Sequence, residues 1–184
     1  ARAYSTPAGI EGVISGLGVQ IFNTQRATES VNTQARIFAG ENTASVANFG
    51  MAARSQIPRN IISNELGNDN QVGNIANFNV FSRATRTAAN GLAAIDRLVA
   101  SGGTLGSTAQ NARAKAFGYL MLGQALGYLS LAYDSAAIVT PATPSEEVPG
   151  LSSAADVNAT ALRMLDSALA QANLTVSGSN GFPL

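Results

Sequence analysis

The sequence predicts an all-α protein, a TPR-like stack of antiparallel helix pairs with long loops. Three observations carry that expectation. Apolar residues recur at three- and four-residue spacing over several long stretches. Helix signals bracket those stretches, with Thr6-Pro7, Ser107-Thr108 and Ser153 at starts and Ser101-Gly102-Gly103 at a stop. No stretch shows a convincing two-residue strand alternation. A strict repeat consensus is absent, so the stack is read from helix pairing alone.

The first helix opens at Thr6 as N-cap, with Pro7 in the first helical position and Glu11 near the positive end of the dipole. Ile10, Val13, Ile14, Leu17 and Ile21 make one apolar face. Gly9, Gly12, Gly16 and Gly18 weaken this helix intrinsically, so tertiary packing must hold it. From about Thr24 to Gln56 two further helical pieces are expected, broken near Gly40-Glu41-Asn42 and ended by Pro58. Asn60 to Asn77 reads as a long irregular loop, rich in residues that favour Asx turns and positive φ. Phe78 to about Ala100 is a strong helix, with Phe81, Ala84, Ala88, Leu92, Ile95 and Val99 facing inward. Another long helix runs from Ser107 or Thr108 to about Tyr133. A Pro-rich joint follows from Thr140 to Gly150, and a last helix from Ser153 to about Asn173 carries Val157, Ala161, Leu162, Leu165 and Leu169. The tail from Thr175 to Leu184 is irregular. The whole of 1–184 reads as a single helical domain.

Ala116 to Tyr133 contains no charged residue, and Gly123 and Gly127 form a GxxxG pair. Its many glycine, alanine, serine and glutamine residues make it only moderately apolar. A helix apolar all round is expected to be buried by neighbours on every side, in preference to crossing a bilayer.

Composition removes several function classes. Charged residues make up 12% of the chain, against about 25% in ordinary soluble domains, and the formal net charge is zero. No basic stripe is available to neutralise phosphates, so no nucleic acid is expected as partner. Cys and His are absent, which excludes thiol nucleophiles, His general bases and the usual zinc sites. Glu146 and Glu147 are adjacent and point apart, and no other carboxylates pair for acid–base work. An enzyme is not expected, and neither a cofactor nor a metal site. Asn68-Asp69-Asn70 lacks the spacing of an EF-hand, and Gly16-Leu17-Gly18 follows no strand that would make it a nucleotide loop.

Several segments resemble the SusD/RagB family of outer-membrane nutrient-binding lipoproteins. Gln110 to Leu120 (QNARAKAFGYL) is similar to the family's "A-R-x-L-R-A-x-x-Y-x-x-L" signature. Phe81 to Asn90 resembles its "Y-x-x-I-x-x-A-N" helix, with Asn90 at the Asn. Ser145-Glu146-Glu147-Val148, followed by Val157 to Leu169, resembles its "S-x-E-E-V … L-x-x-A" segment, and Thr6 to Gly12 its first helix. These matches cover nearly the whole chain in the family's order. Departures are Lys115 for the usual Arg, Ala114 for a larger apolar residue, and Gly127 to Leu131 without the family's Pro. Family members run to several hundred residues and start at a lipidated Cys, so the chain is expected to be the N-terminal part of a longer protein. Its first residues, Ala1 to Tyr4, have no signal-peptide character, which suits a mature or internal start.

The resemblance implies a TPR-like, non-enzymatic lipoprotein of the bacterial cell envelope. Such a protein caps a TonB-dependent transporter and captures glycans or peptides, at the outer membrane or on the periplasmic side, peripheral or lipid-anchored. Sugar capture favours aromatic platforms with polar groups that read hydroxyls. The chain has no Trp, and Tyr119, Tyr128 and Tyr133 do not form one stripe, so core packing is the expected role of these rings. Asn64, Asn68, Asp69, Asn70 and Asn74 in the polar loop are the candidate ligand-binding residues. The alternative function is an extrinsic periplasmic scaffold subunit that stabilises a larger membrane protein complex through its helical faces.

Overall fold

The computed structural model describes residues 2–43, 45, 50–58 and 72–174. It is mostly helical: α1 (Pro7–Arg26), α2 (Val31–Phe38), α3 (Met51–Ser55), α4 (Val72–Ala100), α5 (Thr108–Ala132) and α6 (Ala154–Ala172). A two-stranded antiparallel ribbon, β1 (Ser135–Ala137) and β2 (Leu151–Ser153), lies between α5 and α6 in the chain. The chain divides into two compact units, one of Ala1–Ile21 with Phe81–Leu184, the other of Phe22–Val80.

In the larger unit the helix ends form where capping chemistry places them. The Thr6 hydroxyl accepts from the Gly9 amide at 3.2 Å, and the Ser107 hydroxyl accepts from Gln110 N–H at 3.1 Å. Ser153 accepts from Asp156 N–H at 3.2 Å and donates to the Asp156 carboxylate at 2.6 Å. Each cap satisfies an amide that the helix itself leaves without a partner. Gly102, at φ 82°, ends α4 in the left-handed region, while Gly103 N–H donates to the Leu98 carbonyl at 2.9 Å.

The long apolar helix α5 lies at the centre of this unit. No residue from Ala109 to Ser130 is exposed. Small residues let three neighbours approach it. Gly118 faces Leu92 of α4 and Ile14 of α1, and Gly123 faces Leu165 and the Ala161 carbonyl of α6. Gly18 of α1 lies against the Phe117 ring. The sequence's GxxxG pair is therefore used at one end only, because nothing lies within 4 Å of a Cβ built at Gly127. No helix among the described residues is long and apolar enough to cross a membrane.

The inward faces read from periodicity hold for Ile10, Ile14, Leu17 and Ile21 in α1 and for Phe81, Ala84, Ala88, Leu92 and Ile95 in α4. At about 1.5–3 kcal/mol for each large side chain fully removed from water, they are the main stabilising contribution here. Val99, Leu162 and Leu169 break the pattern, since all three are exposed, the last at 61%. Helical spacing identifies an apolar stripe but cannot say how much of its width a neighbour covers.

Two local readings change. The sequence showed no strand, yet Ser135, Ala136 and Ala137 pair with Ser153, Ser152 and Leu151. Three-residue strands are too short for alternation to register. The ribbon clamps the two ends of the Pro-rich joint, which Arg86 of α4 also holds. The Arg86 guanidinium donates to the Pro144 carbonyl at 3.0 Å and to the Glu147 carbonyl at 2.5 Å. Second, α4 starts at Val72, so Asn74 and Asn77 are helical where the sequence suggested loop. The buried Asn77 amide donates to the Gly73 and Glu29 carbonyls, both at 2.6 Å. That tertiary satisfaction offsets its weak helix propensity.

The smaller unit contains α2 and α3. Ser30 caps α2 by accepting from Thr33 N–H at 3.2 Å, and Gln34 donates to the Glu29 carbonyl at 2.6 Å. Gly40, at φ 77°, turns the chain out of α2 where the sequence predicted a break.

Candidate functional site

Of the sequence's candidate ligand residues, Asn64, Asn68, Asp69 and Asn70 lie outside the described residues. Asn74 lies in the first turn of α4, and its side-chain oxygen accepts from the Arg54 guanidinium at 2.7 Å. Arg54 is 1% exposed. A buried guanidinium is costly without acceptors, so this contact gives Asn74 a structural task. Asn74→Ala should lower unfolding free energy by about 1–3 kcal/mol, measured by urea denaturation. A neutral result would show that the contact contributes nothing to stability.

Of the three tyrosines read as packing groups, Tyr128 has a ring partner and all three are half-buried. Tyr128 stacks on Phe81 with centroids 5.0 Å apart and planes 5° from parallel. Phe81 is fully buried, so one face of the Tyr128 ring serves packing. Tyr119 sits beside an ion pair in which Lys115 Nζ lies 2.6 Å from the Asp96 carboxylate. Burial pushes the Tyr119 hydroxyl above its ordinary value of 10.0; the Asp96 carboxylate acts in the same direction and Lys115 opposes both. The unfolded chain therefore loses this proton first on alkaline titration. Stability is fully present below about pH 10 and falls as pH rises through the folded-state value. Tyr119→Phe should flatten the fall in melting temperature between about pH 9 and about pH 11. An unchanged slope would assign that fall to other groups.

Two concavities are lined by residues that sequence reasoning did not combine. The first is an open groove of 180 Å³ in the larger unit. One wall is Glu11, Ile14 and Ser15 of α1, and the other is Gln110, Arg113 and Phe117 of α5. Both walls follow i, i+3, i+4 or i+7 spacing, which was the signal available in the sequence. The second is a hollow of 270 Å³ in the smaller unit. Thr28, Thr33, Asn42, Thr43 and Ser45 line it, with Ile37 and Met51 as its apolar part. Five neutral hydroxyl or amide side chains, three of them from the 42–45 segment, can donate and accept hydrogen bonds without a formal charge.

Among the described residues no group of three or more acidic, Cys or His side chains gathers to hold a metal. No family model matches the chain, and neither a curated protein nor a solved structure matches it.

Proposed function

We propose that the chain is a non-enzymatic binding module of the bacterial cell envelope, of the SusD/RagB nutrient-capture kind, working beside a TonB-dependent transporter. The observation that carries this reading is the neutral hollow of the smaller unit. A glycan presents many hydroxyls and no charge, and its recognition needs neutral donors and acceptors beside some apolar surface. Thr28, Thr33, Asn42, Thr43 and Ser45 supply the polar groups, and Ile37 and Met51 supply an aliphatic surface in place of an aromatic platform. The family-like segments add support, because the Phe81–Asn90 helix reaches the Ser145–Val148 segment through Arg86. On this reading the antiparallel helices form a TPR-like stack that presents the hollow and a partner-facing surface.

The test joins two measurements. The native protein, extracted from its membranes in mild detergent, is expected to bring a β-barrel transporter with it. Asn42→Ala combined with Thr43→Ala should weaken oligosaccharide binding about tenfold on a glycan panel. If native protein and double variant both ignore every glycan, capture through this hollow is wrong.

The scaffold reading is favoured by a different observation. Tyr128 is engaged by Phe81, and Leu162 and Leu169 stand exposed on α6. Exposed leucines on one helix are more useful for a protein partner than for a sugar. Stoichiometric co-purification with another membrane complex, and with no β-barrel, would support this alternative.

A further inference from the structure

We infer that the groove between α1 and α5 binds a small zwitterion, an α-amino acid with an apolar side chain. The site rests on residues of the larger unit and stands or falls separately from the glycan hollow. Arg113 is half-buried on α5, and its side chain has no hydrogen-bond or ion-pair partner among the described residues. Glu11, across the groove on α1, has none either, and the two do not pair with each other. Opposite charges held apart on facing walls are complementary to a ligand that carries both signs. The guanidinium offers a planar fork of donors that fits a carboxylate through two parallel hydrogen bonds. The Glu11 carboxylate accepts from an ammonium group.

The rest of the groove suits what lies between those charges. Ile14 is 2% exposed and, with Ala114 and Phe117, supplies apolar wall. The Ser15 hydroxyl donates to the Gly12 carbonyl at 3.2 Å and keeps its lone pairs for a ligand donor. Gln110 can donate and accept at the rim. The volume of 180 Å³ is below the range of pockets for drug-sized molecules, which limits the ligand to a small metabolite. Gly18 of α1 lies against Phe117, one of the groove's lining residues. A Cβ there would lie 3.0 Å from the tip of the Phe117 ring, so a larger residue would displace that ring from its present position.

The test titrates the whole chain with L-leucine, N-acetyl-L-leucine and L-leucinamide, followed by calorimetry and by NMR of the Phe117 ring. Saturable leucine binding in the millimolar range or tighter is expected. Arg113→Gln and the amide ligand should each weaken it about tenfold, and Glu11→Gln and the acetylated ligand severalfold. Thermal melts of both variants check that each remains folded. Absence of saturable leucine binding to the native chain overturns the inference. Binding that Arg113→Gln leaves unchanged, or that does not perturb Phe117, overturns it as well.

Discussion

Leu126→Ala should lower the unfolding free energy by about 2–5 kcal/mol. Leu126 is 0% exposed, and it lies on the helix whose whole length from Ala109 to Ser130 is covered. Truncation removes the transfer energy of the lost carbons and leaves a cavity. A surface helix can close such a gap by shifting toward its single neighbour. The α5 helix meets α1, α4 and α6 through Gly18, Gly118 and Gly123 respectively, so a move toward one opens a gap at another. Relaxation is limited, which places the loss in the upper part of the range. Urea denaturation with an unchanged slope is the measurement. A loss below about 1 kcal/mol would mean that α5 is not the core of its unit.

Gly123→Val is the second large effect, opposite in kind. A Cβ at this position would lie 2.7 Å and 2.8 Å from Leu165 carbons and 3.1 Å from the Ala161 carbonyl oxygen. Leu165 could turn away, but the carbonyl belongs to the α6 backbone. The two helices must separate, at a cost of about 1–3 kcal/mol from overpacking. Gly127→Ala supplies the control. Nothing lies within 4 Å of a Cβ there, so that change should stabilise by up to about 1 kcal/mol through helix propensity. Glycines four residues apart on one helix are thus predicted to respond with opposite signs. If both replacements stabilise, the close α5–α6 approach at Gly123 is not real.

Helical class, the caps at Thr6, Ser107 and Ser153 and the stop at Gly102 were legible in the sequence, because each depends on local chemistry. The burial of the charge-free helix was legible too as far as Ser130, since its many small residues signalled neighbours and not lipid, while Leu131 and Ala132 at its end are exposed. What local chemistry cannot show is tertiary rescue. Asn77 reads as a turn former, and it becomes helical because Glu29, distant in sequence, accepts its amide proton. The β1–β2 pairing was hidden for the same reason, as neither three-residue strand carries a pattern of its own. Candidate sites fared similarly. Composition drew attention to the Asn-rich stretch, whereas the hollow and the groove combine residues from separate elements that are unremarkable singly. Arg113 was legible as part of a family-like signature, but its lack of a partner became visible only once α1 lay opposite.

The grip of Arg86 on the Pro-rich joint has an evolutionary consequence. It holds the joint by two carbonyl oxygens, Pro144 and Glu147, which every amino acid supplies. The ribbon at the joint's ends is likewise main-chain pairing. Shape is thereby decoupled from side-chain identity at Ser145, Glu146 and Val148, all of them exposed. Descendants of this chain could rewrite the outward chemistry of those positions without renegotiating the fold. An engineer could graft a short epitope there for the same reason, provided Arg86 is kept.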